Sequence, residues 1–349
     1  MQEMGFENPL NVEPAEAGRA PEDEGVMLGA LQPEQPLPAL FRLTDPHLNL
    51  TDWAKPRREL IENYLLKHGA ILFRNFNVES PAEFEDLIQA VSGDLLEYNE
   101  RASPRSQVSG NIYTSTDHPA NQTIFIHNEN SFKNTFNRKI FFYCMTPSEK
   151  GGETPIADCR RVFQQISPEV RERFIEKGWM YVRNYGDGFG LPWQDVFQTS
   201  DRQEVEEHCR KNKIQVEWKD GNRLRTRASF PAVLTHPLTK EQVWFNHATF
   251  FHVSTLEPWV QEAMREEFDR DEDMPTNTFY GDGSHIEPEV LEELRSAYRQ
   301  HTVSFPWQQR DVLMVDNLLV AHGRAPYTGA RKILVGMSEP TTREELSRN

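Results

Sequence analysis

The sequence predicts an all-β core of the jelly-roll type carrying helical insertions, and three observations carry that expectation. Short strand-like runs follow one another from residue 123 to residue 337, broken by turns rich in Pro, Gly and Asn. Segments with helical periodicity interrupt these runs without any linker that would split them into two units. The histidines that end two apolar runs, His127 and His322, lie 195 positions apart (322 minus 127), so their strands must meet in one core if the two act together.

A chain of 349 residues is long enough to bury a full core. Its net charge of −16 disfavours nucleic acid and anionic membrane surfaces as partners, because the field of the whole protein would repel both. Cys144, Cys159 and Cys209 are an odd number without C-x-x-C spacing, which points to reduced thiols rather than to disulfides or a thiolate zinc site. The first residues lack the basic-then-apolar pattern of a secretory signal, and no run approaches 18 uncharged apolar residues, so the expected location is cytoplasmic.

Taken in order, residues 1–38 are rich in Glu, Pro, Ala and Gly and lack a sustained period, which predicts a disordered or loosely packed acidic tail. Residues 39–345 are expected to form a single domain. It opens with a helix over 54–67, striped by Leu60, Ile61, Tyr64 and Leu65 and stopped at Gly69. A buried strand follows at Ala70–Phe73. Ser80, Pro81 and Glu83 then give a capping-box start to a helix carrying Phe84, Leu87, Ile88 and Val91 on one face. This helix–strand–helix segment reads as a cap packed outside the β-core. Strands are predicted at 123–129, 139–145, 180–185, 214–218, 231–235, 242–246, 301–305, 311–316 and 332–337, with inserted helices at 167–177, 201–211, 256–268 and 288–300.

The chemistry concentrates at the first of these strands. In a strand, residues i and i+2 share a face, so His127 and Glu129 aim an imidazole and a carboxylate into one volume. His322, at the end of the run beginning at Asp311, offers a third ligand. Two histidines and one carboxylate leave open coordination positions, the donor pattern of non-haem Fe(II) oxygenases. Gly151-Gly152-Glu153-Thr154 has two readings, an ordinary hairpin turn or a hydroxyl donor at Thr154 beside a metal. Arg331 opens a strand predicted to lie antiparallel to that of His322, from which its guanidinium would reach a ligand carboxylate. A surface arginine at a strand end is the other reading, and Lys332 next to it has the same one.

Together, His127-Asn128-Glu129, the run from Gly151 to Asp158, the run from Asp316 to Arg324, and Arg331 resemble the taurine dioxygenase-like (TauD/TfdA) superfamily of 2-oxoglutarate-dependent oxygenases. The likeness extends from about residue 40 to residue 340 and is closer to the clavaminate synthase-like branch, which includes syringomycin-pathway aspartyl β-hydroxylase-like proteins of secondary metabolism. The resemblance implies a double-stranded β-helix, with Fe(II) on His127, Glu129 and His322. It also implies 2-oxoglutarate as co-substrate, its distal carboxylate held by Arg331 and Thr154, with Arg324 competing for the role of Arg331. Glu129 keeps a metal-binding carboxylate that related halogenases lack, so hydroxylation or another non-halogenating oxidation with O2 is implied, releasing succinate and CO2.

The branch resemblance implies a small amino-acid-like substrate, free or tethered to an acyl or peptidyl carrier protein. Arg105, Tyr113, Arg183 and Asn246 are candidates for holding it, each with a purely structural reading beside the functional one. An acidic carrier would be repelled by the net charge unless a local basic patch compensates, for which Lys219, Arg223, Arg225 and Arg227 are the densest option. His236, His247 and His252 lack a ligand-spaced carboxylate and read as packed or rim residues, and the acids from Glu266 to Asp273 as a solvated helix end. Two rival classes remain: a zinc hydrolase using the same His/Glu/His set, and a non-catalytic jelly-roll binding protein.

Overall fold

Strands that are apolar on both faces need cover on both sides, and that requirement sets the architecture. The computed structural model describes residues 22–347 apart from 24, 33, 46–47, 94, 96–106, 116–117, 187 and 189. In the long strand Thr135–Thr146, Ile140, Phe142 and Cys144 face one side and Phe141 and Tyr143 the other, and all five are buried. The second group packs under the helices Arg58–His68 and Pro81–Ser92 through Ile61, Leu65, Phe84, Leu87 and Ile88. The first group faces a smaller sheet and the helices Cys159–Gln165 and Pro288–Gln300.

Among the described residues the larger sheet runs, edge to edge, Glu22–Asp23, Val26–Gln32, Gln35–Leu43, Ala70–Arg74, Val312–Asp316, Thr135–Thr146, Lys332–Thr342, Ile112–Thr114 and Gln107–Ser109. The smaller runs Thr302–Val303, Ile156–Asp158, Val320–Arg324 and Ile124–His127. The two sheets share one apolar core, as a jelly roll requires. Among the described residues the larger sheet has one parallel pairing, Gln35–Leu43 with Ala70–Arg74, where the helices of residues 50–68 make the crossover, and the smaller sheet is antiparallel throughout. A further antiparallel sheet, Ile214–Trp218, Leu224–Phe230, Trp179–Tyr185 and Thr276–Tyr280, is the main insertion. Helices Trp193–Phe197 and Arg202–Lys211 cover it over Tyr185, Trp193, Val205, Cys209 and Leu224.

Local signals behave as their chemistry predicts. Ser80 Oγ accepts the Glu83 N–H at 3.2 Å, and the Glu83 carboxylate accepts the Glu79 N–H at 2.9 Å, so the capping spacing is used at the start of Pro81–Ser92. Gly69 ends Arg58–His68 in the left-handed region at φ +80°, with its N–H on Leu65 O.

Three expectations need correction. The acidic tail expected over 1–38 ends earlier, because strands begin at Glu22 and Leu28, Leu37 and Ala39 are buried; residues 1–21 lie outside the described part. The strand Gln35–Leu43 shows no polar–apolar alternation, being buried at five successive positions from Leu37 to Phe41, and it carries Pro36 and Pro38, so it gave no strand signal. The strand of the supposed cap is no cap element: Ala70–Arg74 lies inside the larger sheet, paired with Val312–Asp316, and only the two helices pack outside. Lys332–Thr342, which follows Arg331, pairs with Thr135–Thr146 and Ile112–Thr114 rather than with the strand of His322. Arg331 therefore approaches from the opposite sheet.

Candidate metal and co-substrate centre

The two distant histidines become neighbours by strand pairing. Ile124–His127 and Val320–Arg324 are antiparallel with His127 directly opposite His322, and their ring centroids are 4.7 Å apart. The strand ends at His127, so Glu129 is placed by a turn, not by the pleat as expected. Asn130 turns the chain at φ +58°. Asn317 clamps the turn: its Oδ1 accepts the Glu129 N–H at 2.8 Å, and its Nδ2 donates to Glu129 O at 2.9 Å and to Asn137 O at 2.8 Å. Asn128 Nδ2 in turn donates to Asn317 O at 2.7 Å. These bonds do for Glu129 what a neighbouring strand would have done.

One donor atom from each of His127, Glu129 and His322 lies within 4.8 Å of the others, and Glu129 Oε2 is 3.8 Å from His322 Nε2. Phe125 O can only accept, so the 2.8 Å contact from His127 Nδ1 puts the proton on Nδ1 and turns the Nε2 lone pair toward the shared volume. A hard carboxylate with two imidazoles suits Fe(II), so the residues present fit that ion. Phe142 and Phe250 pack on the rings of His322 and His127 at centroid distances of 5.0 and 4.7 Å, restricting water.

On one flank the ladder continues past the strand, with Gly323 N–H on Pro155 O at 2.9 Å and Ala325 N–H on Glu153 O at 3.1 Å, which sets Thr154 alongside the strand of His322. Thr154 is buried and its Oγ1 accepts the Trp307 Nε1–H at 3.2 Å, leaving the hydroxyl proton to be donated elsewhere. Arg331 donates from Nε to Gly152 O at 2.8 Å and from Nη1 to Ser115 Oγ at 3.4 Å. It lines a cavity of about 390 Å³ with Ser115, His118, Arg324 and Tyr327. Thr154 is not among the lining residues of that cavity. Burial first, and the charge of Arg324 second, pull the Arg331 guanidinium down to about 10, so this pocket is short of negative charge. Arg324 spends its fork on three backbone carbonyls, His118 O, Pro119 O and Gln122 O, at 2.6–2.9 Å.

Residues 34–338 match the family model described as taurine catabolism dioxygenase TauD, TfdA family. The chain belongs to that family. It is a 2-oxoglutarate-dependent dioxygenase, an oxidoreductase whose cofactors are Fe(II) and 2-oxoglutarate. It is 40% identical over 280 residues to the dapdiamide synthesis protein DdaC of Enterobacter agglomerans, covering 80% of this chain and 85% of that one. It is 30% identical over 297 residues to a clavaminate synthase-like protein of Arabidopsis thaliana, covering 82% and 86%. Its fold is that of PvcB from Pseudomonas aeruginosa, with a TM-score of 0.55, 16% identity, and 93% and 94% of the two chains covered.

The other residues singled out in this dioxygenase's sequence fare unevenly. Arg105 lies outside the described residues. Tyr113 is buried on the Ile112–Thr114 strand. Asn246 is buried and bonded to backbone, its Nδ2 donating to Ala232 O at 3.0 Å and its Oδ1 accepting the Ala248 N–H at 3.0 Å. Arg183 lines a second cavity. Three of the four residues of the supposed basic docking patch are paired internally: Arg225 is buried and paired with Asp273 and Glu272, Lys219 bonds Asp273 at 3.2 Å, and Arg227 bonds Glu217 at 2.6 Å, while Arg223 donates from Nε to Asp220 O at 3.1 Å. Glu272 and Asp273 are accordingly ion-pair partners, not the solvated helix end expected. His247, read as a packed residue, is indeed buried but sits against the centre, 5.4 Å from the His127 ring centroid and bonded through Nδ1 to Ser131 Oγ. Burial first, then His127 and His322, hold it well below the usual histidine range, so it stays neutral. Neither Asn317 nor His247 carried a spacing signal, because each acts through contacts more than 100 residues away in sequence.

Proposed function

We propose that His127, Glu129 and His322 hold the Fe(II), that Arg331 and the Thr154 hydroxyl receive 2-oxoglutarate, and that the enzyme hydroxylates an unactivated C–H bond of a small amino-acid-like substrate. The observation that carries this reading is the convergence of the three donor atoms within 4.8 Å, with the strand of His322 carrying Arg324 into a cation-lined pocket. Bound there, Fe(II) supplies the oxidising chemistry in which 2-oxoglutarate and O2 yield succinate and CO2 and one oxygen atom enters the substrate. The protein's own work is placement. Asn317 fixes the turn that aims Glu129, Phe125 O fixes the His127 tautomer, and the two phenylalanine rings keep the volume dry. Arg331 offers terminal N–H donors to a carboxylate, whereas those of Arg324 are engaged by backbone, which supports Arg331 for the distal carboxylate.

An amino-acid-like substrate is supported by the clavaminate synthase-like likeness and by the relation to a dapdiamide synthesis protein. The internal pairing of Arg225, Arg227 and Lys219 favours a free substrate over one presented on an acidic carrier. The test is O2-dependent succinate formation from 2-oxoglutarate after anaerobic Fe(II) loading, followed by a screen for products gaining one oxygen atom. Succinate is expected from the unaltered chain and not from Glu129→Ala or His322→Ala. Succinate formation that survives either replacement would remove the triad from the centre.

A further inference from the structure

The second cavity, of about 590 Å³, lies between the inserted sheet and the turn that follows Glu129. Its size is that of a small-ligand site. Aromatic side chains wall it: Phe132, Tyr181, Tyr185, Phe197 and Phe230. Into this lining the half-buried Arg183 brings a guanidinium that stacks over Tyr185 and Tyr181, at 4.9 and 5.8 Å from their ring centroids. Among the described residues no carboxylate pairs with it. Arg74, Arg160 and Arg225 each have an acid, and Arg324, Arg331 and Arg343 are held by backbone carbonyls, whereas Arg183 has neither kind of partner among the described residues. Glu204, the single carboxylate in the lining, accepts instead from the Thr199 hydroxyl. Lys133 adds a second positive charge. Asn130 is also among the lining residues.

The cavity is also next to the centre. Asn130 follows Glu129 directly, and the Phe132 ring packs on His247 at 5.2 Å, which packs on His127 at 5.4 Å. Tyr181 stacks on Phe251 at 4.4 Å, and Phe251 on His247 at 4.8 Å, so three rings in series, Tyr181, Phe251 and His247, link Arg183 to His127.

We propose that this cavity is the recognition site for the carboxylate end of the substrate, with Arg183 as a bidentate donor. The inference rests on the dioxygenase acting on a small substrate and narrows that substrate to one carrying a carboxylate. The aromatic walls bury its body, and the guanidinium, already held flat by two tyrosines, loses little freedom on binding.

The experiment is calorimetric titration of the full chain, with and without Fe(II) and 2-oxoglutarate, using N-acetyl- and N-benzoyl-amino acids and their matched carboxamides. The carboxylates should bind roughly tenfold or more tightly than the amides, and Arg183→Gln should erase that difference. Arg183→Lys keeps the charge but not the fork, and should retain an intermediate preference while confirming that the pocket folds without arginine. Equal binding of acids and amides, absence of binding by any of these carboxylates, or an undiminished preference in Arg183→Gln would overturn the proposal. Succinate formation by the unaltered chain is measured separately. Its absence alongside Arg183-dependent binding would discard the proposed reaction and leave the site.

Discussion

Asn317 offers a metal nothing, yet the carboxylate of Glu129 owes its position to it. The side chain is fully buried, and its amide meets both the N–H and the C=O of Glu129 while also tying in Asn137. Asn317→Asp keeps the acceptor and deletes both donors, leaving two buried carbonyls facing a carboxylate, at roughly 1–3 kcal/mol for each unmet group. Fe(II) affinity is expected to fall ~10–100-fold with a lowered unfolding temperature. A loss of stability with undiminished Fe(II) titration would confine Asn317 to structure. Arg331→Ala should raise the 2-oxoglutarate requirement roughly tenfold or more while Fe(II) binding stays, and an unchanged requirement would transfer the carboxylate to Arg324. At this scale the sequence showed donors better than supports. His127, Glu129 and His322 stand out because few residue types ligate a metal, whereas nothing in the spacing marks which of many asparagines closes a turn 188 residues away.

Elements that hold the centre depend on backbone geometry at their ends. Gly152 has φ +72°, and a β-carbon there would lie 2.5 Å from Ser148 Oγ and 3.0 Å from Arg331 Cδ and Nε. Gly152→Ala must therefore strain the turn by about 1–2 kcal/mol and push Arg331 off Gly152 O. Weaker 2-oxoglutarate binding with unaltered metal binding is the expected result, read by titrating each ligand. The short helical turn Val253–Thr255 depends on a neutral imidazole: His252 Nδ1 accepts the Ser254 N–H at 3.1 Å. Burial, with Arg295 adding to it, brings that histidine down to about 4. Because the folded value lies below the unfolded 6.5, the unfolded chain binds a proton that the folded one refuses. Stability is thus lost as pH falls from about 6.5 to about 4. His252→Asn keeps an acceptor at the cap but does not titrate, so its unfolding temperature should fall less across that window; an unaltered slope would clear His252. Helices with strong stripes, such as Pro81–Ser92 and Pro288–Gln300, were legible end to end. Leu224–Phe230 and Thr276–Tyr280 were not, because Arg, Thr, Ser and Asn dilute the strand pattern and only the finished sheet buries them.

For the whole molecule, the jelly roll was legible because apolar runs on both faces require layers on both sides, while the order of strands was not, since register is set by partners far away in sequence. Charge shows the same limit. A net of −16 is visible in the composition, but where the cations go depends on the fold. Arg225, buried in the inserted sheet, is held by Asn184 Oδ1 at 2.8 Å, by Glu272 at 3.3 Å and by Asp273, which also receives Lys219 and Arg270. Hydrogen bonds from Arg270, Arg225 and Lys219 outweigh burial and hold the Asp273 carboxyl well below its usual range. Asp273→Asn removes one charge from a cluster whose central cation cannot reach water. We expect a loss of roughly 3 kcal/mol, because the cost is that of an undercompensated buried guanidinium rather than of a surface pair. That cost should persist when unfolding is followed at high salt, since ions screen a buried charge poorly. An unfolding temperature that is unchanged, or that differs only at low salt, would mean the cluster behaves as surface, and Lys219, Arg225 and Arg227 would again be available to an acidic partner.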